Sequence, residues 1–191
     1  MSGAYLTNPI VFLIQTLFGL YTAVVMIRFL LQWARADFYN PVSQFVVRLT
    51  TPVLRPLRRF IPGWGGMDMA ALVLAWALKS VELAIVTLIL DLGRSPLGAL
   101  AWALPELVVL VINILLFAIL IRVILSWVNP DPFHPATRLL DSLTGPVLRP
   151  AQRLLPPIGG IDLSPMLVMI ALVVLEMLLI PPLKLITGSP F

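Results

Sequence analysis

The chain has 191 residues, of which 60% are hydrophobic and only 12% charged, with a formal net charge of +4. A soluble domain carries about 25% charged residues, so a chain this apolar, with a mean hydropathy of +1.01, reads as an integral membrane protein with no room for a separate catalytic domain. Cysteine is absent and His134 is the only histidine, which excludes disulfides, thiol catalysis and multi-histidine metal centres.

Four continuous apolar runs follow in chain order: Val11–Trp33, Met69–Leu90, Leu107–Trp127 and Leu163–Leu185. Each is about 20 residues long, enough at 1.5 Å per residue for a hydrocarbon core of about 30 Å. None alternates as a membrane β-strand does. The first and third end on Trp33 and Trp127, where interfacial aromatics are favoured. Ala34-Arg35-Ala36 resembles a cleavage box, but no basic residue precedes the first run and the run is too long for a signal peptide, so it is expected to stay. The second run is the weakest. Its Leu, Ile and Val residues contribute about −3 to −7 kcal/mol to insertion, and Lys79 and Glu82 cancel that gain. Those charges must therefore face protein, and their spacing of three lets them pair along the helix.

Shifted by 94 residues, the sequence matches itself without a gap. Ile27-Arg28 and Trp33 meet Ile121-Arg122 and Trp127. Pro52-Val53-Leu54-Arg55-Pro56 meets Pro146-Val147-Leu148-Arg149-Pro150. Arg59, Pro62, Gly65-Gly66 and Asp68 meet Arg153, Pro156, Gly159-Gly160 and Asp162, and Glu82 meets Glu176. Apolar periodicity alone does not align prolines, glycines and arginines, so the chain is a tandem duplication, residues 1–95 and 96–191. Each copy holds two spans, which makes the copies parallel and predicts a pseudo-two-fold axis along the membrane normal.

The segment between the spans of each copy holds most of the basic residues: Arg35, Arg48, Arg55, Arg58 and Arg59 in the first, Arg138, Arg149 and Arg153 in the second. Only Arg94 and Lys184 lie on the opposite side. By the excess of positive charge these segments are cytoplasmic, and both termini and the Asp91–Glu106 connection face outward. Val42, Phe45, Val46 and Leu49 mark one helical face, as do Ala136, Leu139, Leu140 and Leu143. A second stripe, Val53, Leu54, Leu57, Phe60 and Ile61, lies opposite Arg55, Arg58 and Arg59. Its counterpart sets Val147, Leu148, Leu154 and Leu155 against Arg149, Gln152 and Arg153. Pro52 and Pro146 suit helix starts, while Pro56 and Pro150 would kink or delay the helix. Asp68 and Asp162 suit caps for the spans that follow. These are amphipathic interfacial helices. They read either as connectors that orient the spans or as a contact surface for anionic lipid or protein partners through Arg55, Arg58, Arg59, Arg149 and Arg153. Aromatics are not interleaved with the charge, so a nucleic-acid role is excluded.

Arg28 and Arg122 lie about 8 Å inside the boundary by helix rise and can snorkel. Asp68 and Asp162 sit at that boundary, so Arg–Asp pairs between adjacent helices are expected to pin each copy together. Glu82 and Glu176 lie deeper, at roughly 21 Å. They read either as a site for an ion or proton flanking an axial cleft, or as protonated interhelical residues. Lys79 has no charged counterpart, since it aligns with Val173. No catalytic constellation forms around His134, which reads as a solvated loop residue, and no metal or cofactor site is expected.

The pattern Arg-x4-Trp, the stretch Asp37-Phe38-Tyr39-Asn40-Pro41-Val42-Ser43-Gln44-Phe45-Val46-Val47, the stretch Pro52-Val53-Leu54-Arg55-Pro56-Leu57-Arg58-Arg59-Phe60-Ile61-Pro62 and Gly65-Gly66-x-Asp68 resemble the YggT family over essentially the whole chain, in its two-repeat bacterial form. In the second copy Gln152 replaces Arg58, and Pro132-Phe133-His134 replaces Phe38-Tyr39-Asn40. The resemblance implies a bacterial cytoplasmic-membrane protein. It implies links to osmotic-stress tolerance and ion homeostasis, to cell division in YlmG-type relatives, and to haem attachment in chloroplast relatives. A chain without cysteine and with one histidine does not fit the haem role.

The sequence therefore predicts an all-α membrane protein of four transmembrane helices in two parallel helical-hairpin repeats. It is expected to be non-enzymatic and to self-associate. The first functional reading is a membrane-organising or assembly factor that meets lipid or protein partners. The alternative is a small ion- or solute-permeation component using Glu82 and Glu176.

Overall fold

The computed structural model of the chain describes residues 3–128, 131, 133–155 and 162–191, residues 3–6 by their backbone only. Its helices are α1 (Gly3–Trp33), α2 (Pro41–Leu57), α3 (Met69–Ile89), α4 (Ala99–Val128), α5 (Pro135–Leu154) and α6 (Ser164–Thr187), with a 3-10 turn at Pro96–Gly98. α1, α3, α4 and α6 are long and apolar enough to cross a membrane. The sequence of long, amphipathic and long helix recurs, giving two helical-hairpin repeats.

Within the repeats α1 packs on α3 and α4 on α6; between them α3 packs on α4. The largest apolar cluster joins Val25, Met26, Leu30 and Leu31 of α1 to Leu54 of α2, Ala70, Ala71, Leu74 and Ala75 of α3, Leu107 of α4, and Leu139 and Leu143 of α5. The alanines let the α3 backbone come close to α1, which is how membrane helices gain packing energy without a hydrophobic drive. A second cluster joins Ile112, Leu115 and Ile119 of α4 to Leu148 of α5 and Val168 and Leu172 of α6.

The expected pseudo-two-fold axis would make α6 pack on α1 as α3 packs on α4; among the described residues the full interfaces of α6 are with α4 and α5, so that symmetry is not met. The repeats stand in series, and α6 keeps most of its surface open. The Asp91–Glu106 stretch also differs from expectation. From Ala99 onward it is helical, so α4 begins eight residues before the run at Leu107, because Trp102 and Ala103 bury against Leu83 of α3.

α2 and α5 are each one continuous helix, through Pro52 and Pro56 and through Pro146 and Pro150. Pro52 and Pro146 do not start helices. All four prolines lie on exposed surface, so the carbonyls they leave unpaired point to where water can bond them. The starts are Asn40, whose side chain accepts from Val42 N at 2.9 Å, and His134, whose Nδ1 accepts from Ala136 N at 3.2 Å. His134 is thus a cap, not merely a loop residue. Gly65 (φ 59°) and Gly66 (φ 80°) form the tight turn that leads to α3, closed by Trp64 and Met67; both backbones lie in the left-handed region that favours glycine. Gly159-Gly160 lies outside the described residues.

Candidate functional site

At roughly 100° per residue, α2 has three faces. Ser43, Val46, Thr50 and Leu54 are buried against the protein. Val42, Phe45, Leu49 and Val53 form an exposed apolar stripe to one side. Arg48 and Arg55 are exposed on the other, and Arg59 is exposed in the turn that follows α2. The sequence stripe is therefore split: Val46 packs inward while Val42, Phe45 and Leu49 face out. In α5 the equivalents of Phe45 and Leu49 are Leu139 and Leu143, and both are buried against the first repeat. Arg149 and Arg153 are exposed. None of Arg48, Arg55, Arg59, Arg149 and Arg153 has an ion-pair partner among the described residues. Trp64, Tyr39, Phe60, Trp127 and Phe133 are exposed in the same region, as in an interfacial aromatic belt.

The boundary arginines are held differently in the two repeats. Arg28 is buried; its Nη1 donates to Val47 O (3.1 Å), Thr50 Oγ1 (2.5 Å) and Thr51 Oγ1 (3.1 Å), and its Nε lies 3.9 Å from Asp68 Oδ2. Asp68 also accepts from Arg58 Nη2 and caps α3 by accepting from Ala71 N at 3.3 Å. Three helices are pinned at one carboxylate. In the second repeat Arg122 does not pair with Asp162 as expected. Its Nε donates to Asp141 Oδ1 at 2.5 Å. Asp141 is the equivalent of Val47, so the arginine reaches the same position of the amphipathic helix and finds a carboxylate in place of a carbonyl. Asp162 instead accepts from Gln152 Nε2 at 3.0 Å and Ser164 N at 2.9 Å. Gln152 thus keeps the place of Arg58 with the charge removed. Partial desolvation pushes the Asp162 carboxyl up, but the Ser164 hydroxyl and amide, Gln152 and the Arg122 charge together hold it below the ordinary carboxylate value.

Deeper in the membrane, Glu82 and Glu176 sit on α3 and α6, which share no full interface among the described residues. Glu82 is buried, and its Oε1 lies 2.8 Å from Lys79 Nζ. Its Oε2 has no hydrogen-bond partner among the described residues, nor does the buried Thr22 Oγ1. Thr22 and Lys79 border a cavity of about 160 Å³, lined also by Gly19 of α1 and by Glu106 and Asn113 of α4, with Val109 and Leu110. Glu106 in turn pairs with Lys184 of α6 at 3.2 Å. Glu176 lies half-buried on α6, with no ion pair among the described residues. Sequence reasoning missed Glu106, Thr22 and Lys184 as companions of Lys79 and Glu82. The signal was present: Glu106 falls on the face of α4 that carries Asn113 two turns later.

The sequence pattern of the CCB3/YggT family matches residues 7–89 and again 101–183. An uncharacterized protein of Pseudomonas aeruginosa is 42% identical over 187 residues, 97% of this chain and 95% of its own length. The uncharacterized protein YggT of Escherichia coli K12 is 40% identical over 172 residues, 89% of this chain and 88% of its own. An uncharacterized Vibrio alginolyticus protein is 42% identical over 167 residues, 86% and 90% of the two chains. No solved structure matches. With both repeats matched and relatives this similar along nearly their whole length, the chain belongs to the CCB3/YggT family of membrane proteins.

Proposed function

We propose that the protein is a non-enzymatic organising factor of the bacterial cytoplasmic membrane, acting in envelope or osmotic-stress tolerance. Its basic segments face the cytoplasm and its termini the outside, and it gathers anionic phospholipid headgroups along α2 and α5. The observation that carries this is the three-faced α2. One face packs on the spans, one is apolar and open, and one presents arginines with no acidic partner. A helix so divided lies flat, with Phe45 and Leu49 in the acyl boundary and Arg48, Arg55 and Arg59 among headgroups. Each such arginine contributes about 1 kcal/mol near an anionic leaflet.

The test is stability in nanodiscs with and without phosphatidylglycerol, for the native chain and for Arg55→Glu, Arg59→Glu, Arg149→Glu and Arg153→Glu combined. The native chain is expected to gain stability with the anionic lipid and the variant to lose that gain. Equal responses remove the reading. If partner cross-links in cells vanish while the lipid response persists, the surface serves a protein instead.

A second reading is favoured by the buried Glu82 oxygen, whose partner Lys79 lines a cavity with Thr22, Glu106 and Asn113. Such a carboxylate with Lys79 and Glu106 near it can pass a proton or small ion. Reconstituted flux should then fall with Glu82→Gln. Since Glu176 lies apart from the cavity, Glu176→Gln should leave it unchanged. Absence of flux from folded protein sinks the reading.

A further inference from the structure

We infer that the cavity between α1, α3 and α4 is a water-filled inlet, open at the end of the bundle remote from α2 and α5 and ending at Lys79. A buried hydroxyl points to it. Four threonines are buried among the described residues: Thr22, Thr50, Thr87 and Thr144. Thr50, Thr87 and Thr144 each donate to the carbonyl four residues earlier at 2.7 Å, the usual outlet for a hydroxyl inside a helix. Thr22 is 1% exposed, and its Oγ1 has no hydrogen-bond partner among the described residues. It borders the cavity of about 160 Å³ together with Lys79, Glu106 and Asn113. Buried polar groups are bonded, to water where protein supplies no partner. A hydroxyl, an ammonium, a carboxylate and an amide around a space of this size meet the requirement for water, which needs two to four polar partners and room to sit. An acyl chain there would leave all four groups unpaired, and a metal cation would face the Lys79 ammonium.

The polar lining continues toward one end only. On α1, Gln15 lies one turn before Gly19 and two before Thr22 on the same face, and it is exposed. On α4, Glu106 lies two turns from Asn113 in the direction of the Pro96–Gly98 turn, and it pairs with Lys184 at 3.2 Å, both side chains part-exposed. α1 and α4 each pack on α3 and only lightly on one another. Nothing fills the space at Gly19, where an added Cβ meets no atom within 4 Å. Toward α2 the way is shut. Val25, Ala75 and Ala118 follow Thr22, Lys79 and Asn113 by about one turn; with Leu74 they belong to the main apolar cluster and are almost fully buried. The Lys79 side chain is accordingly 19% exposed where that of Glu82 is 2% exposed. The inlet thus puts Lys79, and through it the Glu82 pair, in exchange with the medium on one face of the membrane. It stands apart from both functional readings, since passage of an ion would need a second opening toward α2.

The chain contains no cysteine, so single cysteines report on the inlet directly. Gly19→Cys and Asn113→Cys are compared in membrane vesicles of both orientations, with a small membrane-impermeant methanethiosulfonate as the probe. Leu17→Cys and Phe117→Cys replace exposed apolar residues of the same helices and report on lipid. Leu97→Cys, in the turn before α4, and Phe60→Cys, after α2, mark the two ends. Both inlet cysteines should react about ten-fold or more faster than the lipid-facing pair, because a thiol in apolar surroundings stays protonated and unreactive. They should do so only in the orientation that labels Leu97→Cys. Gly19→Leu, which occupies the space of the water, should slow labelling of Asn113→Cys about five-fold or more and leave Leu97→Cys unchanged. Inlet cysteines no faster than the lipid-facing ones, labelling in the orientation that labels Phe60→Cys, or a plug without effect overturns the proposal. Labelling is read without any flux, so its failure and that of the permeation reading are separate results.

Discussion

Removing the ammonium of Lys79 tests the buried charge pair most directly. Lys79 Nζ and Glu82 Oε1 are 2.8 Å apart, with Glu82 2% exposed. At an effective dielectric of about 20, that separation corresponds to about 6 kcal/mol of attraction. Most of it offsets the cost of taking both charges out of water, so the intact pair adds little net stability. Breaking the pair is different. Lys79→Met strands a carboxylate whose second oxygen already lacks a partner, and should cost about 3–5 kcal/mol. Glu82→Gln strands the ammonium, which borders the cavity with Glu106 and Asn113, and should cost less, about 2–3 kcal/mol. The double variant should return to within about 1 kcal/mol of the native chain, since neither group is then left charged and alone. The cycle is measured by equilibrium unfolding in mixed micelles, following the fluorescence of the chain's five tryptophans. Costs that simply add, with a double variant worse than either single one, would refute the reasoning.

Three further outcomes follow from the two repeats. Arg28→Leu should cost about 3–4 kcal/mol, because three hydrogen-bond acceptors and Asp68 lose a buried donor, whereas Arg122→Leu breaks a partly exposed pair and should cost about 1 kcal/mol; equal costs in unfolding experiments would contradict the geometry. Gly66→Ala should destabilise by about 1–2 kcal/mol although an added Cβ meets nothing within 4 Å, while Gly19→Ala, equally unobstructed but inside α1, should stabilise by about 0.5–1 kcal/mol. The Asp162 carboxyl is held below its unfolded value of about 3.9, so its contribution is complete above about pH 4 and is lost as pH falls through the lower folded value; the stability difference between the native chain and Asp162→Asn should shrink on acidification, and a pH-independent difference would count against the hydrogen bonds assigned to it.

The spans, the duplication and the cap at Asp68 were legible because they rest on local signals. Hydropathy marks a helix that must satisfy its backbone internally, and prolines and arginines in register mark a repeat. What the pattern hid was tertiary. Thr50 is on the buried side of α2 as an acceptor for Arg28, and Ser43 as a donor to Asp37 O, which no apolar periodicity signals. Prolines read as breaks because their cost is usually decisive; here they fall on the exposed side. The early start of α4 depends on Trp102 finding α3. The serial arrangement of repeats was invisible as well, since identical repeat sequences are compatible with closed and open packing alike.

The divergence between the repeats bears on where the basic charge acts. In the first, Arg28 and Arg58 share one carboxylate, Asp68. In the second, Arg122 has Asp141 to itself, and Asp162 is served by the neutral Gln152. The surplus cation of one cluster is matched by the surplus anion of the other, so the charges that pin the spans cancel across the molecule. The positive excess of the chain is then carried by arginines outside those clusters, on the exposed sides of α2 and α5. Charge needed only to hold the hairpins together would have been neutralised in place, as the inner set is. In both repeats these arginines have no ion pair among the described residues and lie near exposed aromatics, with an exposed apolar stripe beside them in the first, which is the arrangement that the proposed lipid contact requires.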